Sequence, residues 1–529
     1  MLDLYFMAAF ADAWPTVVEP LSAWRVLGLK RAEEGYTRAA DQSLLLSVPD
    51  AQVAANVGEF LQKAGLYEAA TCLTLKARDL LNELIGPHDR RTLMTSASYI
   101  GLLSDRGMYR EAIGPAREHL KQMQKTLRFD DIEIATGMGM LAILLGRVGE
   151  CEEAEDFYRI DLEFCKKHLD AKHPYTLNAL SNFAQFLTGK QRFSEAEPLH
   201  HLALECREST LGADHPETLI SVAAMGVHYE NQDDFERAEP FHIRDYETTL
   251  RCLGSRHPDT LVALSNLAFL RQGQHRFSEA KDLHARALEF RMDTLGERHP
   301  ACATSAMGLS RSAMRTGDYR EALDACRLAL RIRTEVFGEA HSRTLLSMEL
   351  IPQLLAAMGR HHHAIPLFRE ALECRRAFSG REHHGYYWGL DDLSRSLEYV
   401  GMWAESATVL EEVLNLDQLK HSPDDPQIVI SRINLAWSHL YLDTKQAKGG
   451  FQSCLESWSD STEWKHHWAR LGLALCDARE SGDFSTAEAV IADLIVLLGE
   501  DHDRVAKGRE KIAIIRQKVQ DSHPFNEEA

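Results

Sequence analysis

Four positions of this 529-residue chain carry a metal-capable side chain at one constant interval: His200, His242, His284 and Cys326 lie 42 residues apart. Imidazole and thiolate are ordinary zinc ligands, so the series invites a metal-site reading. Distance argues against it. Neighbouring packed helices lie about 8–10 Å apart, whereas zinc draws each nitrogen to about 2.0–2.1 Å. Interchangeable packing in one slot fits better. The runs His361-His362-His363, His383-His384 and His466-His467 have no HExxH, cysteine pair or carboxylate set beside them, so no metal and no cofactor is expected. A second kind of chemistry gathers later, in Arg311, Glu349, Asp391, Asp392, Arg395 and Glu398. The aspartates could meet a partner's cation and Arg311 a carboxylate in a forked pair. The simpler reading pairs Arg311 with Glu349 and Arg395 with the aspartates. No P-loop, no GxGxxG after a strand and no GxSxG is present, so no enzyme is expected.

The interval of 42 governs the whole chain. His173-Pro174-Tyr-Thr-Leu returns as His215-Pro216-Glu-Thr-Leu, His257-Pro258-Asp-Thr-Leu and His299-Pro300, then as His341-Ser342-Arg-Thr-Leu. Alanines keep the same step at 70, 112, 154, 196, 238, 280, 322 and 364. Within residues 173–212, Pro174 suits a first helical turn, where its missing N–H is no loss. TLNALSNFAQFLTGK then shows helical spacing of apolar residues, and EAEPLHHLALECREST forms a second amphipathic stretch ending at Gly212. One such hairpin cannot bury its apolar faces alone, but a stack can. The spacing therefore predicts an all-α, right-handed α-solenoid of about eleven helical hairpins. Arg207, Arg291, Arg333 and Arg375 form a ladder near second-helix ends, where the helix dipole and neighbouring carboxylates would hold them. Pro352 falls inside a first helix and is expected to bend it.

The pattern LGxxHPxTLxxxxNLAxL…F/Y-x-EAExL…AL, read at 211–245 and 253–287, resembles the tetratricopeptide repeat in its 42-residue kinesin-light-chain-like form. The resemblance covers residues 47–440 well and 441–500 poorly. It implies a scaffold with a groove lined by the first helix of each hairpin. No heptad coiled coil precedes the repeats, so a motor-adaptor role is not expected. The resemblance places Asn178, Ser181, Asn182, Gln185 and Thr188 on inward slots, with Asn56, Asn182, Asn266 and Asn434 sharing one slot. A side-chain amide there can pair with both the N–H and the C=O of an extended peptide. Other inward positions are small or apolar, among them Met140, Val227, Phe269 and Met307, and suit an apolar anchor or an amphipathic helix. Toward the C-terminal end, Trp388 and Trp437 are inward, and six of the eight tryptophans follow residue 380. Aromatic residues dominate binding hot spots. The expected binding set is thus Asn182, Gln185, Asn266, Phe269, Met307, Arg311, Asp391, Asp392, Trp388, Asn434 and Trp437.

Composition narrows the partner. The formal net charge is −20, which disfavours nucleic acid and suits a protein or peptide with basic residues flanking apolar anchors. No apolar run approaches a membrane span, and the apolar start MLDLYFMAAFADAW lacks the basic residues of a secretory leader. Ten cysteines without a CxxC pair fit a reducing, cytoplasmic setting. Residues 1–46 are expected to form an N-terminal helical cap, 47–440 the repeats, 441–500 degenerate repeats, and 501–529 a C-terminal capping helix and tail. The function expected is a non-enzymatic scaffold binding a peptide or helical segment on its concave face. Two alternatives remain at this point: a sensor enclosing a small apolar ligand or signalling peptide, and an enzyme with an unrecognised inner-face site.

Overall fold

The computed structural model describes residues 47–522 apart from 64, 128–130, 340, 382, 423–424 and 458–462. The stretch 1–46, expected as a cap, and the tail from 523 lie outside the described residues. Within them the chain is helical throughout and arranged as eleven hairpins followed by one further helix. The first hairpins are α1 (Val48–Lys63) with α2 (Tyr67–Ile85), α3 (Arg90–Asp105) with α4 (Tyr109–Thr126), and α5 (Ile132–Val148) with α6 (Cys151–His168). Next come α7 (Pro174–Gly189) with α8 (Phe193–Leu211), α9 (Pro216–Glu230) with α10 (Phe235–Leu253), and α11 (Pro258–Gly273) with α12 (Phe277–Leu295). They are followed by α13 (Pro300–Thr316) with α14 (Tyr319–Phe337), α15 (Ser342–Ala357) with α16 (His361–Ser379), and α17 (His384–Tyr399) with α18 (Trp403–Lys420). The series closes with α19 (Pro426–His439) and α20 (Thr444–Ser457), α21 (Trp464–Ser481) and α22 (Ser485–Leu498), and the lone α23 (Asp503–Ser522).

Each letter of the His-Pro-x-Thr motif has a local duty. The histidine is the N-cap of the first helix: Nδ1 of His173, His215 and His257 accepts the backbone N–H two residues on, each at 3.2 Å. Proline fills the first helical position, where it needs no donor. The threonine hydroxyl reaches back to a carbonyl of the preceding turn, as in Thr218 Oγ1 to Gly212 O at 2.8 Å and Thr344 Oγ1 to Gly338 O at 2.8 Å. Those glycines end the second helices at positive φ, 94° for Gly212 and 85° for Gly338, where an L side chain would be strained. The eight in-register alanines are all fully buried, which is why nothing larger occupies their slot.

The arginine ladder is buried, and its partners are hydroxyls and carbonyls as well as the expected carboxylates, with Glu217 3.6 Å from Arg207 and Glu349 paired with Arg375. Arg207 donates to Ser181 and Asn178 of its own hairpin and to Ser221 of the next. Arg291 donates to Leu261 O of its own hairpin and to Ala301 O and Ser305 of the next. Each guanidinium thus ties three helices together. The buried ends are satisfied by hydroxyls and carbonyls. Glu349 does receive an arginine, but it is Arg375, in a forked pair at 2.6 and 2.8 Å, and not Arg311.

The chain divides into two compact units, Met1–Thr344 and Leu345–Ala529, with the boundary inside α15. That helix continues through Pro352. Within the first unit, loops far apart in sequence meet. Gly65, after α1, faces His299 and Pro300, and a Cβ added there would lie 2.6 Å from the proline ring. One repeat later Gly107 faces His341, with a Cβ falling 2.4 Å from Nε2. The Tyr67 and Phe337 rings stack alongside at 6.2 Å. The first unit therefore closes a full turn of its superhelix upon itself.

The core of the second unit is aromatic. Phe451 is fully buried, its ring packs edge-on to Trp437 at 5.3 Å, and its space exists because position 472 is glycine. Val505, Ile512 and Ile515 of α23 belong to the same core. Gly508 brings that helix against Ile491 and Leu471, so α23 is a built-in wall of the unit.

Candidate functional site

A cavity of about 470 Å³ opens within the second unit, between the first helices of its hairpins and α23. Asp391, Arg395, Glu398 and Tyr399 reach it from α17, Trp403 from α18, and Asn434 and Trp437 from α19. Tyr441, just beyond α19, and Trp468 of α21 complete the aromatic side. The α23 face contributes Arg504, Lys507, Glu510 and Lys511. The rings are ordered against one another: Trp403 stacks on Tyr441 at 3.8 Å and 13°, and Trp437 meets Trp468 at 5.0 Å. The Lys511 ammonium stands 4.5 Å from the Trp437 centroid and 5.7 Å from that of Tyr441. Arg504 lies 4.2 Å over Trp464 and 5.3 Å over Trp468. Cations held over ring faces gain from the quadrupole, the more so when desolvated.

Burial sets the protonation of these groups. It pushes the Glu398 carboxyl up, opposed by the charge of Lys511 and by the Ser438 hydroxyl, which donates to Oε1 at 2.9 Å. It pushes the Lys511 ammonium down, opposed chiefly by Glu398. The Tyr441 phenol is raised by burial, and then by the neighbouring Glu398 and Glu510 charges. A smaller cavity of about 70 Å³ lies beside Glu349, Gln353, Trp388 and Asp392. Arg395 holds both aspartates, Asp391 at 3.0 Å and Asp392 at 2.5 Å, while Gln353 donates to Asp392 at 2.7 Å.

Five of the residues expected from the sequence to bind are gathered here. Asp391, Asn434 and Trp437 line the larger cavity, and Trp388 and Asp392 the smaller one. The other six lie on first helices of the first unit. Asn182 and Asn266 are half-buried, and Gln185 and Arg311 are exposed. Phe269 stands edge-on to His284 at 4.8 Å. Met307 corrects its expectation, being only 5% exposed because it packs inside the stack. Ser181 and Thr188 are likewise buried, and Ser181 is held by Arg207. Trp403, Tyr441, Trp468 and the basic residues of α23 were not anticipated from the sequence. The signal available for the latter was the spacing of Arg504, Lys507 and Lys511, which share one helix face.

The histidine ladder is a packing feature. His242 and His284 are fully buried, with rings so close to Gly226 and Gly308 that a Cβ there would lie within 2.6 Å. Burial lowers His284 to about 4 and His200 to about 4, so both are neutral. Among the described residues no three His, Cys, Asp or Glu side chains converge on a metal position. No described helix is long and apolar enough to cross a membrane.

Comparison with known proteins bears on the hairpins. Tetratricopeptide repeat models match residues 134–175 and 176–217, and again 219–293 and 301–377. No curated relative matches the chain. Among solved structures, the kinesin-light-chain-type, nearly identical TPR-like repeats from Podosopora anserina are similar at 22% identity, over 39% of this chain and 99% of that one, with a TM-score of 0.36. BtubC (BKLC) from P. vanneervenii is similar at 20% identity, over 44% of this chain and 92% of that one, with a TM-score of 0.37. The apo quorum sensor NprR from B. thuringiensis is similar at 13% identity, over 70% of this chain and all of that one, with a TM-score of 0.47. Tetratricopeptide repeats are building units of protein-interaction scaffolds, and this chain carries them over residues 134–217, 219–293 and 301–377, set on its own 42-residue period.

Proposed function

We propose that the protein is a non-enzymatic scaffold that holds a peptide or helical segment of a partner against the first helices of its hairpins. One observation carries this reading. A single first-helix slot presents Met94, Ile220 and Val262 to solvent, 61, 53 and 51% exposed, at multiples of the repeat. Val227 and Phe269 follow one slot over and are also exposed. Thr136 and Asn178 interrupt the slot, but Ile220 and Val227 of α9 with Val262 and Phe269 of α11 leave exposed apolar side chains on neighbouring hairpins, and an exposed apolar patch marks an interaction surface. Asn266 supplies a polar contact on α11, Asn182 and Gln185 on α7 and Arg311 on α13, and the acidic chain favours a partner with basic residues beside its apolar anchors. All ten cysteines are free thiols, in keeping with a reducing, cytoplasmic compartment. The working division is repeats over 47–440, degenerate repeats over 441–500, a capping role for 1–46, and a capping helix and tail over 501–529.

The test is affinity capture from source lysate with wild type and with an Ile220→Asp/Val262→Asp variant, the fold of each checked by thermal melting. A partner kept by wild type, lost by the folded variant and cross-linked to α9 or α11 supports the scaffold. Identical partners for both proteins sink it.

A further inference from the structure

We propose that the cavity of the second unit is a binding site for an organic carboxylate with a flat apolar body. The site is separate from the exposed apolar patch of the first unit and stands or falls without it. Trp437 and Tyr441 both line the cavity and are 3 and 7% exposed, yet neither the indole Nε1 nor the phenol Oη has a hydrogen-bond partner. A buried polar group left unmatched is costly, so two such groups at one cavity mark places for a ligand acceptor. The Lys511 ammonium stands over the same two rings, with no carboxylate at ion-pair distance among the described residues.

The remaining charges support an anion rather than a cation. Asp391 is held by Arg395, Glu398 accepts from Ser438, and Glu510 is exposed to solvent. Lys507 and Lys511 make no ion pair within 4 Å among the described residues, the Glu398 charge acting on Lys511 only from beyond that distance, and Arg504 faces tryptophan rings instead of an acid. A cationic ligand would meet like charge. A carboxylate would accept from the ammonium and the indole N–H in charge-assisted bonds. Its apolar body would lie against the Trp403–Tyr441 pair and the Trp437 ring. The volume suits a small ligand. Because α23 is anchored through Val505, Ile515 and Gly508, Lys511 is a fixed part of the site rather than a strap to be displaced.

The carboxylate can come on a free acid or on an acidic side chain of a bound peptide, and a titration distinguishes these sources. Calorimetry on the full chain would use 3-phenylpropionate against 3-phenylpropionamide, and acetyl-Glu-Phe-amide against its Gln counterpart. The acid is expected to bind about tenfold or more tightly than its amide, a discrimination of about 1.4 kcal/mol. Lys511→Met erases that difference, and Trp437→Phe, which keeps a ring and removes the donor, weakens the acid several-fold. Discrimination in the peptide pair alone supports the site and assigns the carboxylate to a side chain. Equal binding of acid and amide in both pairs, or no binding by either acid, overturns the proposal. That comparison uses wild-type protein, so it decides the matter even if Lys511→Met does not fold.

Discussion

The two units use one hairpin plan and fill it differently. In the first, buried arginines bridge neighbouring hairpins: Arg207 and Arg291 reach serines fourteen residues ahead, Ser221 and Ser305. In the second, the arginine slot keeps Arg375, forked onto Glu349, and then holds Asp417, which takes the hydroxyl fourteen residues ahead, that of Ser431. The histidine slot of His200, His242 and His284 becomes Phe368 and then Leu410. The inward slot of Val227 and Phe269 becomes Arg395 and then Trp437. Small first-helix residues let rings and guanidinium groups from the second helices close the space. Bulky aromatic ones hold the helices apart and leave a cavity whose walls carry unmatched donors. Repetition conserves backbone geometry, and the substitutions decide whether the interior is sealed or available.

The largest expected effect concerns the aromatic core. Phe451→Ala should cost about 3–5 kcal/mol and lower the unfolding of the second unit as followed by tryptophan fluorescence. If a calorimetric trace shows one transition shifting as a whole, the two units unfold as a single block and the contrast between them loses its energetic meaning. Arg291→Met should cost about 2–3 kcal/mol, because Leu261 O, Ala301 O and Ser305 lose their donor. An unchanged melting temperature would mean that water replaces the guanidinium.

The pH response of the first unit has two opposed parts. Asp161 is buried and pushed up to about 6, its Oδ1 accepting from Tyr175 at 2.8 Å. Its folded pKa is above the usual 3.8, so the penalty is absent at low pH and complete above about pH 6. Asp161→Asn should therefore stabilise at pH 7 by on the order of 2 kcal/mol, with the gain gone below about pH 4. His200 and His284 act oppositely: their folded pKa values lie below the usual 6.5, so stability is lost as pH falls from about 6.5 toward about 4. His284→Phe, borrowing the residue of the second unit's slot, should remove part of that acid loss in a melting series from pH 7 to 4. The smallest effect is expected from Gly107→Ala, about 1 kcal/mol or somewhat more, from its φ of 72° and its contact with His341. A neutral result there would show that the turn closure contributes nothing to stability.

Much of the architecture is legible in the sequence because a 42-residue period registers every buried alanine, every histidine N-cap and every glycine stop at once. Inward slots were harder to read. Orientation follows from how closely neighbouring hairpins approach, and that depends on residues a whole repeat away. Met307 is buried in this way, as Ser181 and Ser265 are in the same slot one and more repeats earlier. Asp391, Asn434 and Trp437 were found because they stay in register. Lys511 was not, since it lies on a helix outside the repeat, where period says nothing and only the basic spacing of α23 points inward.

The closed turn of the first unit also has a consequence for synthesis. Solenoid hairpins ordinarily need only their neighbours and can form as the chain emerges. Gly65 and Gly107, however, each wait for a histidine 234 residues downstream. At about 5–20 residues per second, that delay is on the order of tens of seconds. Through that interval the nascent coil must persist on local contacts alone, with the earliest loops uncovered until the ribosome has delivered His299 and then His341.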